Sequence, residues 1–179
     1  MDYRDVLKNN LSRQIIDQIA DSVYDNLSNF QTIFDLIFDN DTKVAWRAAW
    51  ACEKIIHKYP EIIDFEKEKQ IIELVLSTNH EGLRRLSLSI LHSLTLNLNV
   101  ELINSCFDWL NSDKQPIAVQ ALSLKLLVKF CKLEPDLKPE LIAFLENDNS
   151  VVLSPGMISC RRNAIKELNK NLLSKNVYK

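Results

Sequence analysis

Two tryptophans, Trp46 and Trp50, stand four residues apart in a long apolar stretch, with Arg47 between them. Residues four apart share one face of an α-helix, so both indoles can project into the same groove. Indole rings stack on nucleobases or fill pockets in protein partners, and arginine pairs with phosphate or carboxylate groups. This spacing favours a binding surface. The alternative interpretation is that both indoles fill gaps between packed helices.

Two arginine pairs, Arg84-Arg85 and Arg161-Arg162, each follow a short polar loop and open a predicted helix. If those helices stack in parallel, the pairs align along one edge and form a modest positive stripe with Lys43 and Arg47. We expect Arg47, Arg85 and Arg162 to lie in register along that edge. The candidate partner-binding residues are Lys43, Trp46, Arg47, Trp50, Arg84, Arg85, Arg161 and Arg162.

The residue types that perform catalysis or bind metals are dispersed along the chain. The three histidines lack a carboxylate and a nucleophile at the spacing of a catalytic triad, and they lack neighbouring zinc ligands. The four cysteines are far apart and form no C-x-x-C pair, so we expect small, unpaired core residues. We predict no catalytic residue, no cofactor and no metal, and a non-enzymatic role. The histidines are His57, His80 and His92, and the cysteines are Cys52, Cys106, Cys131 and Cys160.

The composition of the 179 residues is that of a soluble globular protein, with 46% hydrophobic and 26% charged residues. The net charge of -2 provides no global attraction to phosphate backbones, which disfavours nucleic acid as the partner. The N-terminus lacks the apolar stretch of a signal peptide, and no run reaches the ~18 apolar residues of a membrane span. We expect a cytoplasmic protein with a protein partner and no membrane contact. The pattern does not indicate an oligomeric state.

Only two glycines occur, and the five prolines all lie between apolar periodic runs, which together predict an all-α chain. Apolar residues at helical spacing predict ten helices. Ser12 is the predicted N-cap of the second of them. The predicted helices are 2–9, 12–26, 28–38, 43–58, 61–76, 81–96, 100–111, 116–132, 137–146 and 156–175.

The stretch that runs from a polar loop into an apolar helix recurs along the chain. Anchored on Arg47, Arg85, Gln120 and Arg162, its copies are separated by 38, 35 and 42 residues, which suits two-helix repeats. No linker interrupts the series, so we predict a single domain over 1–179. Its parts are N-terminal capping helices at 1–27 and helical hairpins at 28–59, 60–97, 98–134 and 135–176.

The hairpin that contains Asp41, Val44, Arg47, Ala48 and Ala49 resembles the HEAT repeat, whose second helix opens with Asp, then Val-Arg, then paired small residues. The resemblance implies a right-handed α-α superhelix, an ARM/HEAT-type solenoid of about four to five helical hairpins. It also implies that Asp41 and Arg47 are structural and stack as a ladder between adjacent repeats. Most members of this family bind other macromolecules on the concave face.

A weaker resemblance links the Trp pair and the basic residues to the HEAT-like DNA glycosylases of alkylation repair, which use aromatic, Asp and Arg side chains in a basic groove. The leading hypothesis is a non-enzymatic HEAT-like scaffold that binds a protein partner on its concave surface. The alternative is a DNA-binding or DNA alkylation repair glycosylase-like protein.

Overall fold

The computed structural model describes residues 1–9, 12–95, 97–146 and 153–173. Within these ranges the chain is all-α and contains no β-strand, which confirms the predicted class. Short 3-10 turns lie at Leu27–Asn29, Leu36–Phe38 and Pro60–Ile62. The α-helices are α1 Tyr3–Asn9, α2 Arg13–Asp25, α3 Phe30–Asp35, α4 Thr42–Lys58, α5 Phe65–Ser77, α6 Glu81–Ser93, α7 Val100–Leu110, α8 Ile117–Leu133, α9 Leu137–Glu146 and α10 Pro155–Leu173.

Polar side chains fix the starts of several helices. The Ser12 hydroxyl accepts a hydrogen bond from the backbone N–H of Ile15 at 3.1 Å, which confirms the predicted N-cap of α2. The Asp41 carboxylate accepts the backbone N–H of Lys43 at 3.0 Å at the start of α4. Each acceptor satisfies a backbone donor that has no partner inside its helix.

Three predicted helices differ from those observed. The predicted helix 28–38 is α3 with a 3-10 turn at each end. Helix α5 begins at Phe65 because Pro60 starts a 3-10 turn and the Asp64 carboxylate caps the helix, accepting the N–H of Lys67 at 2.8 Å. Helix α6 ends at Ser93, short of the predicted 96. Residues 174–175, the end of the last predicted helix, lie outside the described residues.

The chain divides into two compact units, residues 1–95 and 96–179. In unit 1, α4 packs against α6, the second helix of the next hairpin, and against α1, α2 and α3. Helix α5 packs against α6. Small residues such as Ala48 and Ala49 are fully buried on α4, which allows its neighbours to approach closely.

In unit 2, helix α8 is central and packs against α7, α9 and α10. Its buried residues include Leu124, Leu126 and Phe130. The boundary between the units falls close to the predicted boundary between the second and third hairpins, at 97–98. The single domain over 1–179 stays a prediction.

All four cysteines lie in the described ranges and are free thiols. Cys52, Cys106 and Cys131 are buried, as predicted, and Cys160 is half-buried. Burial raises the pKa of Cys106 to about 12 and that of Cys131 to about 11, so both thiols stay protonated near neutral pH. Among the described helices, none combines the length and the apolar character needed to cross a membrane.

Candidate interaction surface

Helix α4 separates its residues into a buried side and a solvent-facing side. Val44, Ala48 and Ile55 on the first side are fully buried. The second side is polar and aromatic, and its residues recur every three or four positions, as one helix face requires. We call this side, with the adjoining sides of α2 and α6, the second-helix face. On α4 it consists of Lys43, Trp46, Arg47, Trp50, Glu53, Lys54 and His57.

Three planar rings stack along this face. Trp46 and Trp50 have ring centroids 6.3 Å apart and planes 12° from parallel. The ring of His80, from the start of α6, continues the stack 6.5 Å from Trp46 at 18°. All three side chains are half-buried. The indoles therefore pack against each other and still present surface to solvent.

His80 has a second contact that fixes its ring. Its Nδ1 accepts the backbone N–H of Leu83 at 3.0 Å, so His80 is the N-cap of α6. An added Cβ at Gly82 would lie 3.1 Å from His80 Cε1, so glycine leaves room for the ring over the first turn. The cap needs an unprotonated Nδ1, which places the ring proton of neutral His80 on Nε2.

The Arg47 side chain supports the scaffold. Its Nη1 donates hydrogen bonds to the carbonyl oxygens of Leu7 at 2.6 Å and Lys8 at 3.0 Å, in the last turn of α1. These carbonyls lie at the negative end of the α1 dipole, which attracts the positively charged guanidinium. Its carbon Cζ lies 5.9 Å from the Trp46 ring centroid, so it also borders the stack. Asp41 and Arg47 thus have structural roles with backbone partners.

The arginine pair on α6 divides between two environments. Arg84 donates to the carbonyl oxygen of Thr78, in the loop before α6, and burial lowers its pKa. Arg85 is exposed. In unit 2, Gln120 makes the contacts that correspond to those of Arg84: it donates to the carbonyls of Ser112 at 2.8 Å and Gln115 at 3.0 Å. Arg84 and Gln120 therefore each hold the loop that precedes their helix. The alignment of Arg85 with Arg47 stays a prediction.

The two arginines on α10 also differ in exposure. The Arg161 side chain is only 6% exposed, whereas Arg162 is exposed. Because burial removes Arg161 from solvent, we leave it out of the proposed contact residues. The predicted alignment of Arg162 with Arg47 and Arg85 stays a prediction. The other members of the predicted set are exposed or half-buried, and among them Arg47 and Arg84 hold backbone carbonyl oxygens. The members without that role are Lys43, Trp46, Trp50 and Arg85 in unit 1, and Arg162 in unit 2.

A groove of about 630 Å³ runs between α2 and the C-terminal half of α4. The Tyr24 hydroxyl donates to the Lys54 carbonyl oxygen at 3.2 Å, and the Lys54 ammonium pairs with Asp17. The Lys58 ammonium lies 3.8 Å from the Tyr24 ring centroid, a cation-π contact. The groove is lined by Asp17, Ala20, Asp21, Tyr24, Glu53, Lys54 and His57.

The groove residues were absent from the set predicted from the sequence. Glu53, Lys54 and His57 follow Trp50 at helical spacing, so extending the exposed stripe of α4 would have found them. Asp17 and Tyr24 lie on another helix, and their approach to α4 depends on how α2 packs. That approach has no local signal in the sequence.

Among the described residues, no group of three or more His, Cys, Asp and Glu side chains is arranged to hold a metal ion. A model of the HEAT repeat domain family matches residues 3–168. No curated protein matches the chain. The family match covers nearly all of the described residues and agrees with the all-α fold and the paired helices of each unit. The chain belongs to the HEAT repeat domain family.

Proposed function

We propose that this HEAT repeat protein is a non-enzymatic scaffold that binds a protein partner on its second-helix face, the side that we expect to be concave. The observation that carries the proposal is the stack of Trp46 and Trp50, two half-exposed indoles held parallel on one helix. Tryptophan is enriched among the residues that dominate protein interfaces, because it supplies a large contact area with few rotatable bonds.

The surroundings of the stack suit a protein interface. Lys43 is exposed one turn before Trp46, Arg85 is exposed on the neighbouring helix α6, and Asp21 and Glu53 line the groove between α2 and α4. An aromatic centre with charged residues of both signs at its rim is the usual anatomy of a specific interface. The proposed contact residues are Lys43, Trp46, Trp50 and Arg85, with Tyr24 and Glu53 from the groove.

Affinity purification from the native cell tests this proposal. Wild-type protein and a Trp50→Ala variant are compared by quantitative mass spectrometry of the proteins that co-purify. We expect at least one partner to be retained by wild type and lost by Trp50→Ala. Phe65→Ala is the matched control, because Phe65 is a 62% exposed aromatic at the start of α5, a helix that contributes no ring to the stack. A partner set that is identical for all three proteins contradicts the proposal.

The second candidate function is DNA binding, including a role related to DNA alkylation repair. The stacked indoles of Trp46 and Trp50 are the observation that favours it, since unpaired bases stack on aromatic rings. The guanidinium groups of Arg47 and Arg84 already donate to backbone carbonyls, so fewer of their N–H groups can contact phosphates, which disfavours DNA binding. Titration of tryptophan fluorescence with duplex and single-stranded DNA at two salt concentrations decides between the candidates. Phosphate contact predicts affinity that falls steeply with salt, and absence of binding at low salt rejects DNA binding.

A further inference from the structure

Phe38 is a large apolar side chain that remains 41% exposed in unit 1. It lies where two neighbouring grooves meet, with volumes of about 470 and 540 Å³. Phe38 and Leu74 line both grooves. We call this region, formed by the 3-10 turn Leu36–Phe38, by α5 and by the loop before α6, the Phe38 surface.

The exposure of Phe38 follows from the local backbone. Phe30, Phe34 and Phe38 are spaced four residues apart, so a continuous α-helix would place all three on one face. Phe30 and Phe34 are buried. The chain instead tightens into a 3-10 turn at Leu36–Phe38, which rotates by about 120° per residue where an α-helix rotates by about 100°. The extra rotation turns Phe38 away from the core.

The ring of Phe38 is held in place although it is exposed. It packs edge-on against the fully buried Phe34, with ring centroids 5.5 Å apart and an interplanar angle of 66°. Edge-to-face packing of this kind restricts the orientation of the ring. A ligand that covers a ring already fixed loses less conformational entropy on binding, which favours affinity.

The charges around Phe38 select the chemistry of a ligand. The described residues that line the two grooves include Asp35, Asp39 and Glu73, and none of them is Lys or Arg. Arg4 neutralises Asp39 through contacts of 2.6 and 3.1 Å. Among the described residues, Asp35 accepts a hydrogen bond only from the neutral amide of Gln31, at 2.7 Å, and Glu73 is exposed and forms no ion pair. The remaining charge is negative.

We propose that the Phe38 surface binds a short extended segment of a protein, in which an apolar side chain is flanked by Lys or Arg. The apolar side chain packs beside Phe38 and Leu74, and the basic side chains meet Asp35 and Glu73. This surface is distinct from the Trp46 and Trp50 stack. His80 borders both regions, so the test leaves it unchanged.

Fluorescence polarisation with three labelled peptides of equal length tests the proposal on the full chain. The first has a central Leu flanked by lysines, the second replaces the lysines by Glu, and the third replaces the Leu by Ser. We expect the first to bind at least tenfold more tightly than the other two. Binding that does not discriminate among the peptides, or no binding, overturns the proposal.

Two variants place the binding on this surface. Phe38→Ala removes the apolar contact, and we expect affinity for the first peptide to fall by about tenfold, the loss typical of a central interface residue. Glu73→Lys reverses an exposed charge without touching the core, and we expect a similar loss that shrinks as salt increases. Trp50→Ala and Phe65→Ala are controls that should bind as wild type does. Unchanged affinity of Phe38→Ala and Glu73→Lys contradicts the assignment.

Sedimentation of the free protein tests whether a second copy of the chain occupies the Phe38 surface. We expect a monomer, or an oligomer that Phe38→Ala leaves intact. A concentration-dependent dimer that Phe38→Ala dissociates would overturn the proposal, because the surface would then be occupied by a second copy of the chain. The effect of Trp50→Ala on partner binding does not enter any of these outcomes. The inference about the Phe38 surface and the proposed function can therefore be rejected independently of each other.

Discussion

The indole rings of Trp46 and Trp50 stack 6.3 Å apart, 12° from parallel, on the solvent-facing side of α4. Their i and i+4 spacing allows the contact, and the buried opposite side of α4 fixes the direction in which both rings point. The two rings therefore present a continuous aromatic surface.

His80 combines the N-cap of α6 with the end of the ring stack, and two substitutions separate these roles. His80→Asn keeps a side-chain acceptor for the Leu83 N–H, whereas His80→Ala removes it. We expect His80→Ala to lower the free energy of unfolding by about 1 kcal/mol more than His80→Asn does. Urea unfolding measures this difference. Both variants should alter the near-UV circular dichroism of the tryptophans. Equal stabilities would show that the cap contributes nothing.

Arg47 ties α4 to the last turn of α1, so its removal should loosen α1. We expect Arg47→Met to reduce the free energy of unfolding by about 1.5 to 3 kcal/mol, the range for hydrogen bonds made by a charged group. Hydrogen exchange should accelerate in Tyr3–Asn9. Arg85→Met, at an exposed position, is the control and should change stability by less than about 0.5 kcal/mol. Equal effects of the two substitutions would contradict the structural role of Arg47.

Asp39 should contribute to the loss of stability in acid. Hydrogen bonds from Arg4 and from the backbone of Asp41 hold the pKa of Asp39 below its ordinary value in the folded protein. The unfolded chain, with a pKa of about 3.9, binds the proton more readily. Stability from Asp39 is therefore present above the unfolded pKa and is lost as pH falls through the folded pKa.

Melting temperatures of wild type and Asp39→Asn measured from neutral pH down to acid test this linkage. We expect the variant to be less stable than wild type at neutral pH and the difference to narrow as acid protonates Asp39. Asp113→Asn, which removes a carboxylate that is exposed, is the control for the loss of one negative charge. A constant difference across the whole pH range would show that protonation of Asp39 is not coupled to folding.

The thiols should differ in reactivity according to burial. Cys52 and Cys106 are fully buried, and burial raises the pKa of each thiol, so neither presents a thiolate to a reagent. Cys160 is half-buried and should react first with a disulfide reagent at neutral pH. We expect one slow native phase that Cys160→Ser removes, and reaction of the others only after unfolding. Fast labelling of Cys52 in the native protein would contradict the described core.

Local patterns in the sequence predicted the helices, the Ser12 cap and the burial of three cysteines, because each depends on neighbours within one or two turns. They did not predict the exposure of Phe38, because Phe30, Phe34 and Phe38 at four-residue spacing predict a continuous α-helix, and the change to a 3-10 turn at Leu36–Phe38 has no local signal. The bonds from Arg47 to α1 and the approach of Asp17 to Lys54 join residues distant in sequence. Such contacts depend on how neighbouring hairpins pack. The repeat pattern predicts that the hairpins stack, but it does not predict which side chains meet.

The affinity of an isolated partner for the wild type, Trp50→Ala and Phe65→Ala proteins tests the central claim most directly. Titration calorimetry on folded proteins gives the three dissociation constants. We predict that Trp50→Ala weakens binding by at least tenfold, about 1.4 kcal/mol, while Phe65→Ala binds as wild type does. Equal affinity of Trp50→Ala and wild type, with the fold intact, would contradict the assignment of the Trp46 and Trp50 stack as the partner-binding surface.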